Sequence, residues 1–221
     1  MAKSAAFEAR HGRYDAWFEK HAAAYVSELL ALRTFVLIEG RGLEIGVASG
    51  CFPGPLGVQA GVDPSPRTLA YTAARGIDVF VGTAEELPFA DSCFDCALLV
   101  TTLCFLDLRQ KAPSEARRVT KGGGDLLIGF IDRASEIGQD YDAHKAKNVF
   151  YRDVTFHPVD EIGRMPRDAG LLAHAWRQTL TRPLAEATDF EPLRPGAARR
   201  SRGAQAQMIR WRAPSSGRIA A

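Results

Sequence analysis

A chain of 221 residues with 46% hydrophobic content can bury one sizeable core but hardly two, which predicts a single domain. A formal charge of +2 is too mild for a general nucleic-acid binder, and neither the N-terminus nor the longest apolar run, Cys96 to Leu106 with two threonines inside it, has the character of a signal peptide or membrane span. Four cysteines, Cys51, Cys93, Cys96 and Cys104, do not make a disulfide framework, and the C-x-x-C of Cys93 and Cys96 lacks a second pair, so reduced thiols, a cytoplasmic location and no metal are expected.

In chain order, the stretch from Arg13 to Phe35 places Tyr14, Phe18, His21, Tyr25, Leu29 and Leu32 on one face of an amphipathic helix. From Gly42 to Asp132 short apolar runs alternate with amphipathic or polar stretches, the pattern of βαβ units around a parallel sheet. Strands are predicted at Gly42 to Val47, Ala60 to Asp63, Asp78 to Gly82, Phe94 to Thr101 and Asp125 to Asp132. Ser65 as N-cap and Pro66 at the first helical position start a helix that runs to Arg75. A helix over Asp107 to Lys121 carries Pro113 near its middle, which predicts a kink or a late helix start there. Beyond Asp132 follow a polar helix (Ala134 to Asn148), a short helix interrupted by Pro166 (Val159 to Ala169), a strand (Leu171 to Thr179), a loop (Leu193 to Gly203) and a last strand (Ala206 to Arg212). The expected architecture is α/β: a doubly wound, mostly parallel, seven-stranded sheet with helices on both faces. Residues 1–40 would form a capping helix region, 41–132 a cofactor-binding half, and 133–221 a substrate or lid segment with the C-terminal strands.

The first strand carries an acid and runs into small residues, Leu43-Glu44-Ile45-Gly46-Val47-Ala48-Ser49-Gly50. Small residues let backbone approach a ligand closely, and in an open α/β sheet this turn lies beside the switch point where ligands bind. Asp63, at the end of the second strand, can accept hydrogen bonds from both hydroxyls of a ribose. A dinucleotide loop would read G-x-G-x-x-G, whereas the spacing here is Gly46-x-x-x-Gly50 with Glu44 just before it. A carboxylate there would repel a pyrophosphate but attract the cationic amino-acid end of S-adenosylmethionine.

These segments resemble the class I S-adenosylmethionine-dependent methyltransferases, in particular the small type 11 branch. The family's E-x-G-x-G-x-G motif is similar to Glu44 to Gly50, with Ala48 at the middle glycine. Gly61-Val62-Asp63-Pro64-Ser65 resembles the ribose motif, Gly82 to Phe89 the adenine loop, Asp91 to Asp95 the entry to the fourth strand, and Lys121 to Gly124 the turn into the fifth. The resemblance implies S-adenosylmethionine as cofactor, contacted by Glu44, Gly46, Val47, Ala48, Gly50, Asp63, Pro64, Ser65, Thr83, Ala84, Glu85 and Thr101. Thr83 stands where many members have an aspartate, and its hydroxyl can also accept a hydrogen bond.

Methyl transfer is an in-line displacement at an activated carbon, so positioning matters more than a general base, and no catalytic residue is assigned. The expected partner is a small-molecule methyl acceptor. Tyr14, Trp17, His21 and Tyr25 would form an aromatic wall attractive to cations, or else the buried face of their helix. His21 has the chemistry of a proton acceptor near neutral pH, and Asp132 sits at a strand end where acceptors bind. Tyr141, His144 and Tyr151 lie in the polar insert, a candidate lid. Two alternatives remain open on the sequence: a binder of the same cofactor without turnover, motivated by Ala48, Thr83 and Pro113, and an RNA methyltransferase using the seven arginines between Arg194 and Arg218.

Overall fold

The computed structural model describes residues 4–36, 40–180, 186–191, 194–195 and 206–214. Apolar runs of four to seven residues give strands β1 (Gly42–Ile45), β2 (Ala60–Asp63), β3 (Asp78–Val81) and β4 (Phe94–Val100), followed by the longer β5 (Thr120–Ile131). Three more, β6 (Leu172–Thr179), β7 (Arg194–Pro195) and β8 (Ala206–Arg212), complete one sheet of order β3-β2-β1-β4-β5-β8-β6-β7. Pairings from β3 to β5 are parallel, and β8 runs antiparallel to both β5 and β6. The sheet thus has eight strands where seven were expected, the addition being the two-residue β7 paired with Arg177 and Gln178. It falls inside the expected loop of Leu193 to Gly203, the rest of which lies outside the described residues.

Both faces of the central strands are covered, as their near-continuous apolar runs require, with successive side chains entering opposite layers. Ala97 and Leu99 of β4, with Leu126, Ile128 and Phe130 of β5, pack against α5 (Lys111–Val119), α7 (Val159–Ile162) and α8 (Met165–Asp168). Cys96, Leu98 and Val100, with Leu127, face α1 (Ala5–Lys20), α2 (Ala22–Arg33) and α3 (Pro53–Leu56). Phe94 breaks this parity and joins the first set because a bulge separates it from Cys96.

Several helix boundaries differ from expectation. The single N-terminal helix is two: the chain breaks at His21 (φ −115°, ψ 43°), and α1 is bent again at Arg10 (φ −140°, ψ 33°). α4 (Pro66–Ala74) begins as predicted, the Ser65 hydroxyl oxygen accepting the Thr68 amide at 3.3 Å. α5 starts late, at Lys111, so Pro113 lies in the first turn, where an amide has no intrahelical partner to lose. The break between α7 and α8 falls at Gly163 and Arg164, with Pro166 opening α8 rather than interrupting a helix. α6 (Glu136–His144) leads into a 3₁₀ turn at Lys145–Lys147. β5 starts five residues before the predicted Asp125, extending pairing back to Phe94 through Thr120.

Candidate cofactor site

The turn after β1 is fixed from several sides. The amides of Gly46 and Val47 both donate to the Val62 carbonyl, at 2.8 and 3.1 Å, which ties the turn to β2. Gly46 has φ +78°, and a Cβ there would lie 2.5 Å from the Thr102 side chain, so only glycine fits. Gly50, at φ +77°, likewise leaves room for Thr72 of α4, whose hydroxyl donates to the Ala48 carbonyl at 2.6 Å. Ala48 itself holds the left-handed conformation at φ 46°. Its amide donates to Asp63 Oδ2 at 3.0 Å, while Asp63 Oδ1 accepts from the Ser65 amide at 2.9 Å and from the Thr68 hydroxyl at 3.5 Å. Burial nevertheless outweighs these bonds and raises the Asp63 carboxyl above its ordinary range.

Glu44 is 2% exposed, and its Oε2 has no hydrogen-bond partner among the described residues. Burial first, and the nearby Asp63 second, push its carboxyl well above the usual carboxylate range. A buried acid left half-satisfied is costly unless something positive meets it.

The segment after β3 is bolted to α5. The Leu87 amide donates to Glu115 Oε2 at 2.8 Å, and the Arg118 guanidinium donates to the carbonyls of Phe89 (2.7 Å) and Leu87 (3.1 Å) and to Asp91 (2.9 Å). Arg118 also holds Glu115 at 2.7 Å, keeping that carboxyl below its ordinary range.

A cavity of about 370 Å³ opens between these turns, at the carboxyl ends of β1, β2 and β4 where the strand order reverses. Of the residues singled out from sequence, Gly46, Ala48, Asp63, Pro64, Thr83, Ala84, Glu85 and Thr101 line it together. Glu44, Val47, Gly50 and Ser65 stand behind the lining: Val47 packs against Gly61, Ser65 caps α4, and Gly50 meets Thr72.

On the acceptor side, only Tyr14 of the proposed aromatic wall reaches the cavity. Trp17 stacks on His21 at 4.9 Å, and burial lowers the His21 pKa from its ordinary value. The Tyr25 hydroxyl donates to the Cys51 carbonyl at 2.5 Å, and its ring packs on Phe18 and Phe52. Asp132 is buried, accepting from the amides of Ala134 (3.0 Å) and Val159 (3.3 Å), away from the lining. Tyr141 and Tyr151 pack on each other and on Phe156, while His144 is exposed beside Asp140.

The lining residues that sequence reasoning missed include Phe7, Phe105 and Thr102. Phe7 packs edge-on to Tyr14 (5.0 Å) and Phe105 (5.3 Å). It precedes Tyr14 by seven residues, two helical turns along the same face, which is the signal that would have found it.

The fold and this site together define a class I, Rossmann-like methyltransferase. The methyltransferase domain family matches residues 43–128. A crystal structure from Thermotoga maritima, described as a SAM-dependent methyltransferase, possible histamine N-methyltransferase, is 40% identical, with a TM-score of 0.88 over 95% of this chain and 99% of that one. An uncharacterized protein of Methanocaldococcus jannaschii is 38% identical over 178 residues, 80% of this chain and 86% of its own length. A malonyl-[acyl-carrier protein] O-methyltransferase of Herminiimonas arsenicoxydans is 31% identical over 139 residues, 60% of this chain and 52% of that enzyme, so the chain spans about half its length. The chain belongs to the S-adenosylmethionine-dependent methyltransferases of the type 11-like branch, and its cofactor is S-adenosylmethionine. No helix among the described residues is long and apolar enough to cross a membrane.

Proposed function

We propose that the cavity at the β1–β4 switch point holds S-adenosylmethionine and that the enzyme transfers its methyl group to a small-molecule acceptor, with amines the class that the aromatic lining favours. The observation that carries this reading is Glu44, a buried acid whose Oε2 has no partner among the described residues, within electrostatic reach of two lining residues, Asp63 and Tyr14. It suits the cationic amino-acid end of the cofactor, which would offset the cost of burying the charge. Asp63 would accept the ribose hydroxyls with the lone pairs its backbone bonds leave free, and Thr83 and Ala84 would flank the adenine.

The cofactor supplies an electrophilic methyl on sulfonium; the protein's work is to place a nucleophile in line with it and to keep water away. Phe7, Tyr14 and Phe105 give the cavity aromatic lining. Aromatic faces attract ammonium groups, and the Thermotoga protein's description names an amine acceptor for that protein. Burial holds the Tyr14 phenol well above its ordinary pKa, so it stays neutral and serves as a hydrogen-bond donor rather than a base. Of the seven C-terminal arginines, Arg210 and Arg212 are paired with Asp125 on the sheet, which leaves fewer charges for an RNA backbone.

Isothermal titration with S-adenosylmethionine and its demethylated product, followed by a labelled-methyl screen across amines, phenols, thiols and carboxylic acids, tests the proposal. Binding of both, with label transferred to an amine, is the expected outcome. Absence of binding overturns the cavity assignment, and binding without transfer leaves a cofactor-binding protein.

A further inference from the structure

Asp15 lies on α1 next to Tyr14 and beyond the bend at Arg10, and its carboxylate reaches the cofactor turn. Oδ1 accepts the hydroxyl of Ser49, and the Cys51 thiol lies 3.8 Å from the same oxygen. Oδ2 accepts Arg75 Nη2 at 3.0 Å, from the C-terminal end of α4. Ser49 is fully buried between Ala48, which lines the cavity, and Gly50, which makes room for α4. One carboxylate therefore joins the helix that carries Phe7 and Tyr14 to the turn that carries Ala48 and to the helix that follows Asp63.

The two halves of this contact differ in weight. The Arg75 pair is open to solvent, with side-chain exposures of 44% and 27%, so screening leaves it little net worth. The Ser49 hydroxyl has one proton and is buried, and a charged acceptor makes its bond a strong one. Without Asp15 the neighbour left to that hydroxyl is the Cys51 sulfur at 3.6 Å, a poor acceptor.

We propose that Asp15 is a positioning residue that latches the N-terminal helix onto the cofactor turn, so that filling the cavity and closing Phe7 and Tyr14 over it favour each other. The latch rests on the assignment of the cavity to S-adenosylmethionine. Because coupling between two equilibria is reciprocal, a turn held in its bound form draws the helix down, and a docked helix tightens the ligand by the same factor. A contact that served only the fold would show no such reciprocity.

The test uses the full-length protein, the demethylated cofactor as ligand, titration for affinity, and hydrogen exchange of residues 5–20 with and without ligand. In the wild type the ligand should slow exchange across α1. Asp15→Ala should bind about ten- to a hundredfold more weakly, the size of one charge-assisted hydrogen bond, and ligand should no longer protect α1. Asp15→Asn keeps an acceptor for Ser49 and should lose only about threefold. Should Asp15→Ala fail to fold, Ser49→Ala removes the same bond from the other side and carries the same expectation. Affinity within twofold of wild type, or weaker binding with α1 still protected, overturns the latch. Asp63→Ala is the control for the cavity itself: if it binds like wild type, the site assignment fails whatever Asp15 does.

Discussion

Asp63 braces the cofactor turn as well as facing the cavity, and this changes what its removal should do. Its two oxygens serve the amides of Ala48 and Ser65, so Asp63→Ala strands buried donors at about 1–3 kcal/mol each. The variant should bind the demethylated cofactor about ten- to a thousandfold more weakly, by titration, and melt about 4–24 °C lower even without ligand. Glu44 should behave in the opposite sense in the ligand-free protein. Its folded pKa is raised, so its contribution to stability is full below the unfolded value of about 4.3 and is lost as pH rises toward the folded pKa. Glu44→Gln should therefore flatten the decline of ligand-free melting temperature as pH rises above about 5 while weakening S-adenosylmethionine. A melting series at several pH values, with and without cofactor, reads both effects. Gly46, Ala48, Asp63 and Thr83 were legible because each sits where a strand ends, a place the apolar pattern marks. The Asp15–Ser49 contact was not, since it joins residues 34 apart with no periodic signal between them.

At the scale of elements, β1, β2 and β4 were read to within two residues because they are buried almost throughout, whereas β5 began five residues earlier than expected, where Lys121 to Gly124 carry no apolar signal. The N-terminal helices were misread as one because the spacing of Phe18, His21 and Tyr25 continues across the break at His21. β7 escaped notice because two residues carry no alternation. Pro113 illustrates how a local rule depends on position: the same ring that would break a helix interior is compatible with a first turn. There its fixed φ restricts the unfolded chain, and the ring is buried as well. Pro113→Ala should thus destabilise by about 0.4–1 kcal/mol before any lost packing is added, lowering the melting temperature by about 1–4 °C. A rise in melting temperature would mean that the ring strains α5.

Across the whole molecule, the central strands β4 and β5 belong to both core layers, so damage on either face should be felt by the entire sheet. Trp211 of β8 is fully buried, beside Ile209 and opposite Leu126. Trp211→Ala should cost about 3–5 kcal/mol, measured as a lower denaturant midpoint with an unchanged slope. The order of strands also has a consequence for biosynthesis. β5 gains its outer neighbour only when β8 is made, since the chain must run from Ile131 to Ala206 before the seven register pairs from Asp125 to Ile131 can form. At about 5–20 residues per second, a nascent chain presents the open, apolar edge of β5 for roughly 4–15 s. An unpaired edge of that kind is a template for association with other chains, so it is during translation, before the final strand arrives, that this protein most needs a chaperone.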